Sequence, residues 1–265
     1  MEIDPLSQID PLSRIVVHLT IRFNETKLAT GTGILSKIPF AGTGAASRFQ
    51  GYNFLVTALH NLTGREPTGE IKHTLGGVPN FIEIEGFFTR LRSPLYSGGN
   101  DPNTEVPLYW IHSDGPNVDL ALLPLSGPLE RAGTLDQSFL DPQRNESSMS
   151  LFVSQTCYII GFPEGLIDRP RKDVILPVWK TGHIASEPAL PFNNEPVILV
   201  DATTRPGMSG APVIVRNDRV YEPRRRLVGI YAGRTSDSSD IGRVFRPHVI
   251  HEIARRGPLH APIGW

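Results

Sequence analysis

Arg14-Ile15-Val16-Val17-His18-Leu19-Thr20-Ile21-Arg22-Phe23 decides how the rest of the chain is read. It is β-branched and roughly alternating, the pattern of a strand with one face buried. Residues 29–35 (ATGTGIL) are suited to pair back on it through a turn near Asn24-Glu25. Residues 52–59, 81–87, 106–111 and 120–125 supply further short apolar runs, separated by turn-rich intervals such as 95–104 (LYSGGNDPNT). A second series follows at 150–153, 156–161, 174–185, 197–202, 211–215, 226–231 and 243–245. Only residues 248–256 (HVIHEIARR) read as helix. Pro247 precedes them, Val249, Ile250 and Ile253 share one side, Arg fills the last turn and Gly257 follows. Two runs of short strands and one terminal helix predict a pair of β-barrels.

The composition agrees. With 25 Gly and 24 Pro among 265 residues, the chain favours many turns over long helices. Its length suits one large unit or two apposed half-domains with ample core. The single cysteine, Cys157, forbids an intrachain disulfide and points to a reducing compartment. A formal net charge of −1 offers no electrostatic reason to expect nucleic acid or an anionic membrane. The N-terminus lacks a basic and an apolar signal region, and no apolar stretch is long enough to span a bilayer, so a cytoplasmic soluble protein is expected. On that expectation the Asn-x-Ser/Thr triplets at Asn24, Asn61 and Asn145 are chance. A short duplication, Ile3-Asp4-Pro5-Leu6-Ser7 then Ile9-Asp10-Pro11-Leu12-Ser13, reads as two local Asp-Pro turns. The expected organisation is an N-terminal segment (1–13), an N-terminal barrel (14–125), a polar linker (126–148), a C-terminal barrel (149–246), and a helix with its tail (247–265).

Three segments carry side chains suited to chemistry. Phe54-Leu55-Val56-Thr57-Ala58-Leu59-His60 delivers a histidine where an apolar strand ends. Asp119 stands directly before the apolar run Leu120-Ala121-Leu122-Leu123. Asp201-Ala202-Thr203-Thr204-Arg205-Pro206-Gly207-Met208-Ser209-Gly210-Ala211-Pro212 is a turn with a serine between glycines, then another strand. A serine hydroxyl needs an adjacent general base, and histidine has the right pKa for that task. A carboxylate on the other ring nitrogen fixes the tautomer and stabilises the imidazolium. The glycine two before the serine lets the N–H groups of Gly207 and Ser209 converge on a developing oxyanion. Each residue alone has an ordinary structural explanation; the conjunction of all three at strand edges is informative.

On these residues the chain resembles the trypsin-like serine peptidases of the chymotrypsin double-barrel fold, and within them the intracellular, disulfide-free branch near the HtrA proteases. Val56-Thr57-Ala58-Leu59-His60, Asp119-Leu120-Ala121-Leu122-Leu123, Ile159-Ile160-Gly161-Phe162-Pro163-Glu164-Gly165 and Pro206-Gly207-Met208-Ser209-Gly210-Ala211-Pro212 are similar to that family's motifs. The resemblance implies an all-β fold of two six-stranded antiparallel barrels with a C-terminal α-helix, and a serine endopeptidase acting on proteins or peptides without a cofactor. It implies His60 as general base, Asp119 as its orienting carboxylate, Ser209 as nucleophile, and Gly207 with Ser209 as oxyanion donors. It places the specificity pocket at Thr203, Thr204 and Arg205, at Tyr231, Ala232, Gly233 and Arg234, and near Arg243. Thr203 stands where trypsins carry the aspartate that selects basic side chains, so no strong Lys/Arg preference is expected. Arg234 or Arg243 would attract an acidic side chain unless both point to solvent.

The departures matter too. Met208 replaces the aspartate that orders the oxyanion turn in secreted trypsins, which leaves open a latent enzyme triggered by a regulatory protein partner. About 20 residues follow Phe245, too few for a PDZ domain. An α/β-hydrolase would want Gly-x-Ser-x-Gly and alternating strand–helix units, and here Gly-Met-Ser-Gly-Ala leads into a strand. His248 and His251 lack a third metal ligand nearby and read as a helix-surface pair. The alternative of a different class is a catalytically silent double barrel that binds a peptide or partner protein.

Overall fold

The computed structural model describes residues 4–38, 53–66, 77–125, 149–217, 224–236 and 238–260. The first half builds one antiparallel sheet from β1 (Val16–Phe23), β2 (Thr26–Lys37), β3 (Asn53–Thr57), β4 (Phe81–Glu85), β5 (Arg90–Pro94), β6 (Trp110–Ile111) and β7 (Ala121–Leu125). Its order is β5-β4-β1-β2-β3-β7-β6. β1 and β2 form the expected hairpin from Val16↔Ile34 to Phe23↔Thr26, turning at Asn24 with φ +52°.

The second half contains β8 (Thr156–Gly161), β9 (Asp168–Arg171), β10 (Val174–Leu176), β11 (Val178–Ile184), β12 (Val197–Asp201), β13 (Pro212–Asn217), β14 (Arg224–Arg234) and β15 (Ile241–Phe245). Six of these close a barrel in the order β11-β12-β15-β14-β13-β8, and β9 and β10 form a separate ribbon. The fold is the chymotrypsin-like double barrel. Among the described residues the first half has seven strands rather than the expected six; the additional one, β5 (RLRSP), alternates exposed arginines with half-buried residues and presents no apolar run to read. Conversely, only two residues of 106–111 are strand, and 150–153 is not strand. Pro177, lacking an N–H, splits the expected strand 174–185 into β10 and β11.

Three α-helices complete the described fold: α1 (Pro11–Ile15), α2 (His60–Thr63) and α3 (Pro247–Arg256). Arg14 and Ile15, expected to start the first strand, are instead helical. Asp10 caps Leu12 N at 2.9 Å and Pro11 pre-sets the first turn. Asp4 caps a 3₁₀ turn over Pro5–Gln8 in the same way. This N-terminal segment is tied to the second half: Arg225 forks onto Asp10 at 2.9 and 2.6 Å, and Trp179 Nε1 donates to Ser13 Oγ at 2.8 Å. The expected linker, 126–148, lies outside the described residues. No helix among the described residues is long and apolar enough to cross a membrane.

The halves share a core. Phe54, Trp110 and Leu122 from the first meet Ile160, Ile214 and Phe245 from the second, and Val249, Ile250 and Ile253 of α3 roof the seam. Leu19, Leu55 and Leu123 fill the first half's own interior, and Ile159, Val200 and Val213 that of the closed barrel. Strands such as β3 and β7 are therefore buried on both faces, which explains their unbroken apolar runs. Each such side chain contributes roughly 1.5–3 kcal/mol relative to exposure.

Candidate active site

β3 ends at Thr57, and His60 opens α2 three residues later. Asp119 lies between a 3₁₀ turn (Gly115–Asn117) and β7, so two strands paired from Thr57↔Ala121 to Asn53↔Leu125 deliver base and acid to one end of the sheet. His60 Nδ1 meets Asp119 Oδ2 at 2.7 Å, and the His60 backbone N–H donates to Oδ1 at 2.9 Å. A carboxylate can only accept, so Nδ1 carries the proton and Nε2 is the basic nitrogen. Both residues are buried, which keeps the pair out of competition with water.

Ser209 follows a turn that Met208 N closes onto the Arg205 carbonyl at 3.3 Å, with Pro206 at its second position and Gly207, φ +90°, at its third. Proline's fixed φ and glycine's tolerance of positive φ are what a type II turn requires. The next carbonyls are all pinned. Pro206 O accepts from Glu164 N at 2.8 Å, Gly207 O from Thr32 Oγ1 at 2.7 Å, and Met208 O from Ala211 N at 3.0 Å. Ser209 O accepts from Thr32 N at 2.8 Å and Asn61 Nδ2 at 2.9 Å. Met208, Gly210 and Ala211 spend their N–H groups on backbone carbonyls, whereas among the described residues those of Gly207 and Ser209 enter no backbone hydrogen bond. Gly210, also at φ +90°, lies against the first half; a Cβ there would overlap the Thr32 carbonyl and Thr57 Oγ1.

A cavity of about 390 Å³ adjoins the serine, with Asp119, Ser209, Thr204, Arg205, Tyr231 and Arg234 among its walls. Ala232, Gly233 and Arg243 also border it. Thr203 does not: it is exposed, and Thr204 turns inward instead, because side chains alternate along this extended stretch after β12. The Thr204 and Tyr231 hydroxyls share a short hydrogen bond, and burial raises the Tyr231 phenol above its usual pKa. Arg243 is paired with Glu195 at 2.5 Å and lies over the Phe245 ring.

Other sequence features fall elsewhere. Asp114, the acid nearest to Asp119 in chain position, is exposed and faces His112 at 3.7 Å. A larger cavity, about 740 Å³, lies between the His112–Asp114 turn, the loop at Pro191–Pro196 and α3. Its walls include His112, Ser113 and His248, but the His112 ring is already engaged by Glu252 and by the Asp114 N–H; the smaller cavity is the one bordered by Ser209 and Asp119. Sequence reasoning missed Thr32 and Asn61, which hold the Ser209 main chain from the first half. The glycines flanking Thr32 were the one local sign that another backbone comes close.

The fold is that of the chymotrypsin-like class. Residues 42–221 match the trypsin-like peptidase domain, and the chain belongs to that family of serine endopeptidases. No curated protein matches the sequence. Among solved structures it is similar to a serine endoprotease from Yersinia pestis, at 13% identity and a TM-score of 0.53 over 91% of this chain. The chain spans 62% of the length of that protein. It is also similar to the Rv3671c protease of M. tuberculosis in its active form, at 13% identity and a TM-score of 0.48, covering 96% of this chain and 87% of the other.

Proposed function

We propose that this protein hydrolyses peptide bonds through His60, Asp119 and Ser209 by way of an acyl-enzyme. The observation that carries the reading is the two-point grip of Asp119 on His60, with the residue after His60 hydrogen-bonded to Ser209's own carbonyl. In this mechanism His60 Nε2 takes the Ser209 hydroxyl proton as Oγ attacks the scissile carbonyl. Asp119 stabilises the imidazolium, and the Gly207 and Ser209 N–H groups receive the oxyanion. The imidazolium then protonates the leaving amine, and a water activated by His60 hydrolyses the ester.

The substrate is a protein or peptide whose side chain enters the cavity beside Ser209. Arg205, Tyr231, Ala232, Gly233 and Arg234 are the proposed subsite residues, with Thr204 in place of Thr203. Asp119 is committed to His60, the paired hydroxyls of Thr204 and Tyr231 are neutral, and Arg205, Arg234 and Arg243 outnumber Glu66 on the cavity wall, which argues against a Lys/Arg preference. Cleavage profiling on a peptide library tests this, and selection for Lys or Arg overturns it. The two-unit organisation, 14–125 and 149–246 joined by 126–148, is part of the same reading.

The pinned carbonyls from Pro206 to Ser209 favour a turn assembled before any partner binds, over the latency suggested by Met208. A fluorophosphonate probe separates the readings. Labelling of the purified protein, absent in Ser209→Ala, is the expected result. Labelling only in lysate would establish triggering by a partner, and none in either setting would establish a silent binding module.

A further inference from the structure

Asn61 starts an Asn-Leu-Thr triplet, yet its side chain is only 2% exposed. Both hydrogens of its amide nitrogen are engaged, with Nδ2 donating to Ser209 O and to Thr57 Oγ1, each at 2.9 Å. A carbonyl oxygen only accepts, so the nitrogen must be the atom facing Ser209. Thr57 Oγ1 in turn donates to Thr32 O at 2.7 Å, and Thr32 N donates to Ser209 O. The Ser209 carbonyl is thus held by two donors, one on β2 and one on the helix that carries His60. Gly31 leaves the amide its space: a Cβ there would stand 2.6 Å from Nδ2.

We infer that Asn61 is a positioning residue for the reaction proposed above, tying the nucleophile's main chain to the helix of the general base. The inference rests on that reaction for its kinetic consequence, but the tie itself is a separate physical fact. Two rigid parts from opposite halves must hold Ser209 Oγ and His60 in register, and a hydrogen bond from the residue after His60 to Ser209's own carbonyl fixes that separation. Losing the tie leaves substrate binding intact and misplaces the reacting atoms, so it acts on kcat rather than KM. The triplet, on this reading, is maintained by chemistry inside the fold and is no glycan acceptor in the folded chain.

The test uses Asn61→Ala, Asn61→Asp and Gly31→Ala in the full chain, with Thr63→Ala as a control on the same helix, its hydroxyl bonded to the carbonyl of Leu59 just before α2 and away from Ser209. Expected for the three is a 10- to 100-fold lower kcat with KM within about twofold. Thr63→Ala should keep its kcat at a comparable loss of thermal stability. Gly31→Ala is the sharpest arm, because it displaces the amide without removing it. Hydrogen–deuterium exchange over residues 207–211 reads the tie whether or not the serine turns over. Faster exchange there in Asn61→Ala, but not in Thr63→Ala, supports it. Unchanged exchange, or a kcat loss that merely tracks thermal stability across all four variants, overturns it. A wild type that resists the fluorophosphonate probe while showing the exchange difference would sink the proposed reaction and leave the tie standing.

Discussion

Asp119 holds His60 at two points, Oδ2 on the ring at 2.7 Å and Oδ1 on the backbone N–H at 2.9 Å. The carboxylate therefore sets both the tautomer and the position of the imidazole. Asp119→Asn keeps the shape but presents an N–H₂ group that cannot serve both contacts as an acceptor. We expect kcat to fall roughly 10⁴-fold, with the folded structure retained by circular dichroism. Activity within tenfold of wild type would show that another group orients the histidine.

Gly210→Ala should be damaging out of proportion to its single methyl. The residue sits at φ +90°, and the added Cβ would overlap the Thr32 carbonyl. Neither β2 nor the nucleophile turn can retreat without breaking the Thr32–Ser209 contact. A loss of more than about 2 kcal/mol in urea unfolding is expected, together with loss of Ser209 labelling.

His18 makes stability depend on pH. It lies buried on β1, its Nδ1 without a hydrogen-bond partner among the described residues and its ring edge-on to Phe162. Burial lowers its pKa from 6.5 to about 4, against a raising influence of Glu85 across the sheet and with smaller lowering ones from Lys27 and Arg169. Between those two values the unfolded chain binds the proton more readily than the folded one. The contribution is thus full above pH 6.5 and is lost as pH falls toward 4, on the order of 3 kcal/mol at about 1.4 kcal/mol per pKa unit. Urea midpoints measured from pH 7 to pH 4 should fall less steeply for His18→Phe than for wild type.

Tyr231 should limit which side chains the cavity accepts. Its hydroxyl bonds Thr204, and its ring lies against Gly242, where a Cβ could not fit. Tyr231→Val removes the ring from the cavity wall. Library profiling should then show a shift toward bulkier residues at the cleaved position. An unchanged profile would place the specificity pocket elsewhere.

Cys157 should be inert. The thiol is fully buried on β8, and burial pushes its pKa up to about 12, so almost no thiolate exists at neutral pH. Thiol reagents should modify the native protein far more slowly than the urea-unfolded chain.

Much of this was legible in the residue order. β8 spans the expected 156–161, the β1–β2 turn falls at Asn24-Glu25, and α3 starts at Pro247 beside the expected 248. Such elements announce themselves through periodicity, caps and turn residues, all local properties. α1 and α2 were not legible, because a single helical turn is too short to show a period. β5 escaped because an edge strand with exposed arginines has no buried run to reveal it.

The site divides along the same line. His60, Asp119 and Ser209 stood out in sequence because each closes or opens an apolar strand, and a strand's end is where a polar side chain can be delivered to a cleft. Thr203 and Thr204 both fall in the expected wall, and chain position alone does not say which of the two neighbours turns inward. Asn61 and Thr32 could be found only in three dimensions. Their role depends on carbonyl oxygens some 150 to 180 positions away, and no local pattern records a hydrogen bond closed by tertiary folding. Sequence by itself determined most of the strands and the candidate side chains at their ends; the packing of one half against the other decided what holds them in place.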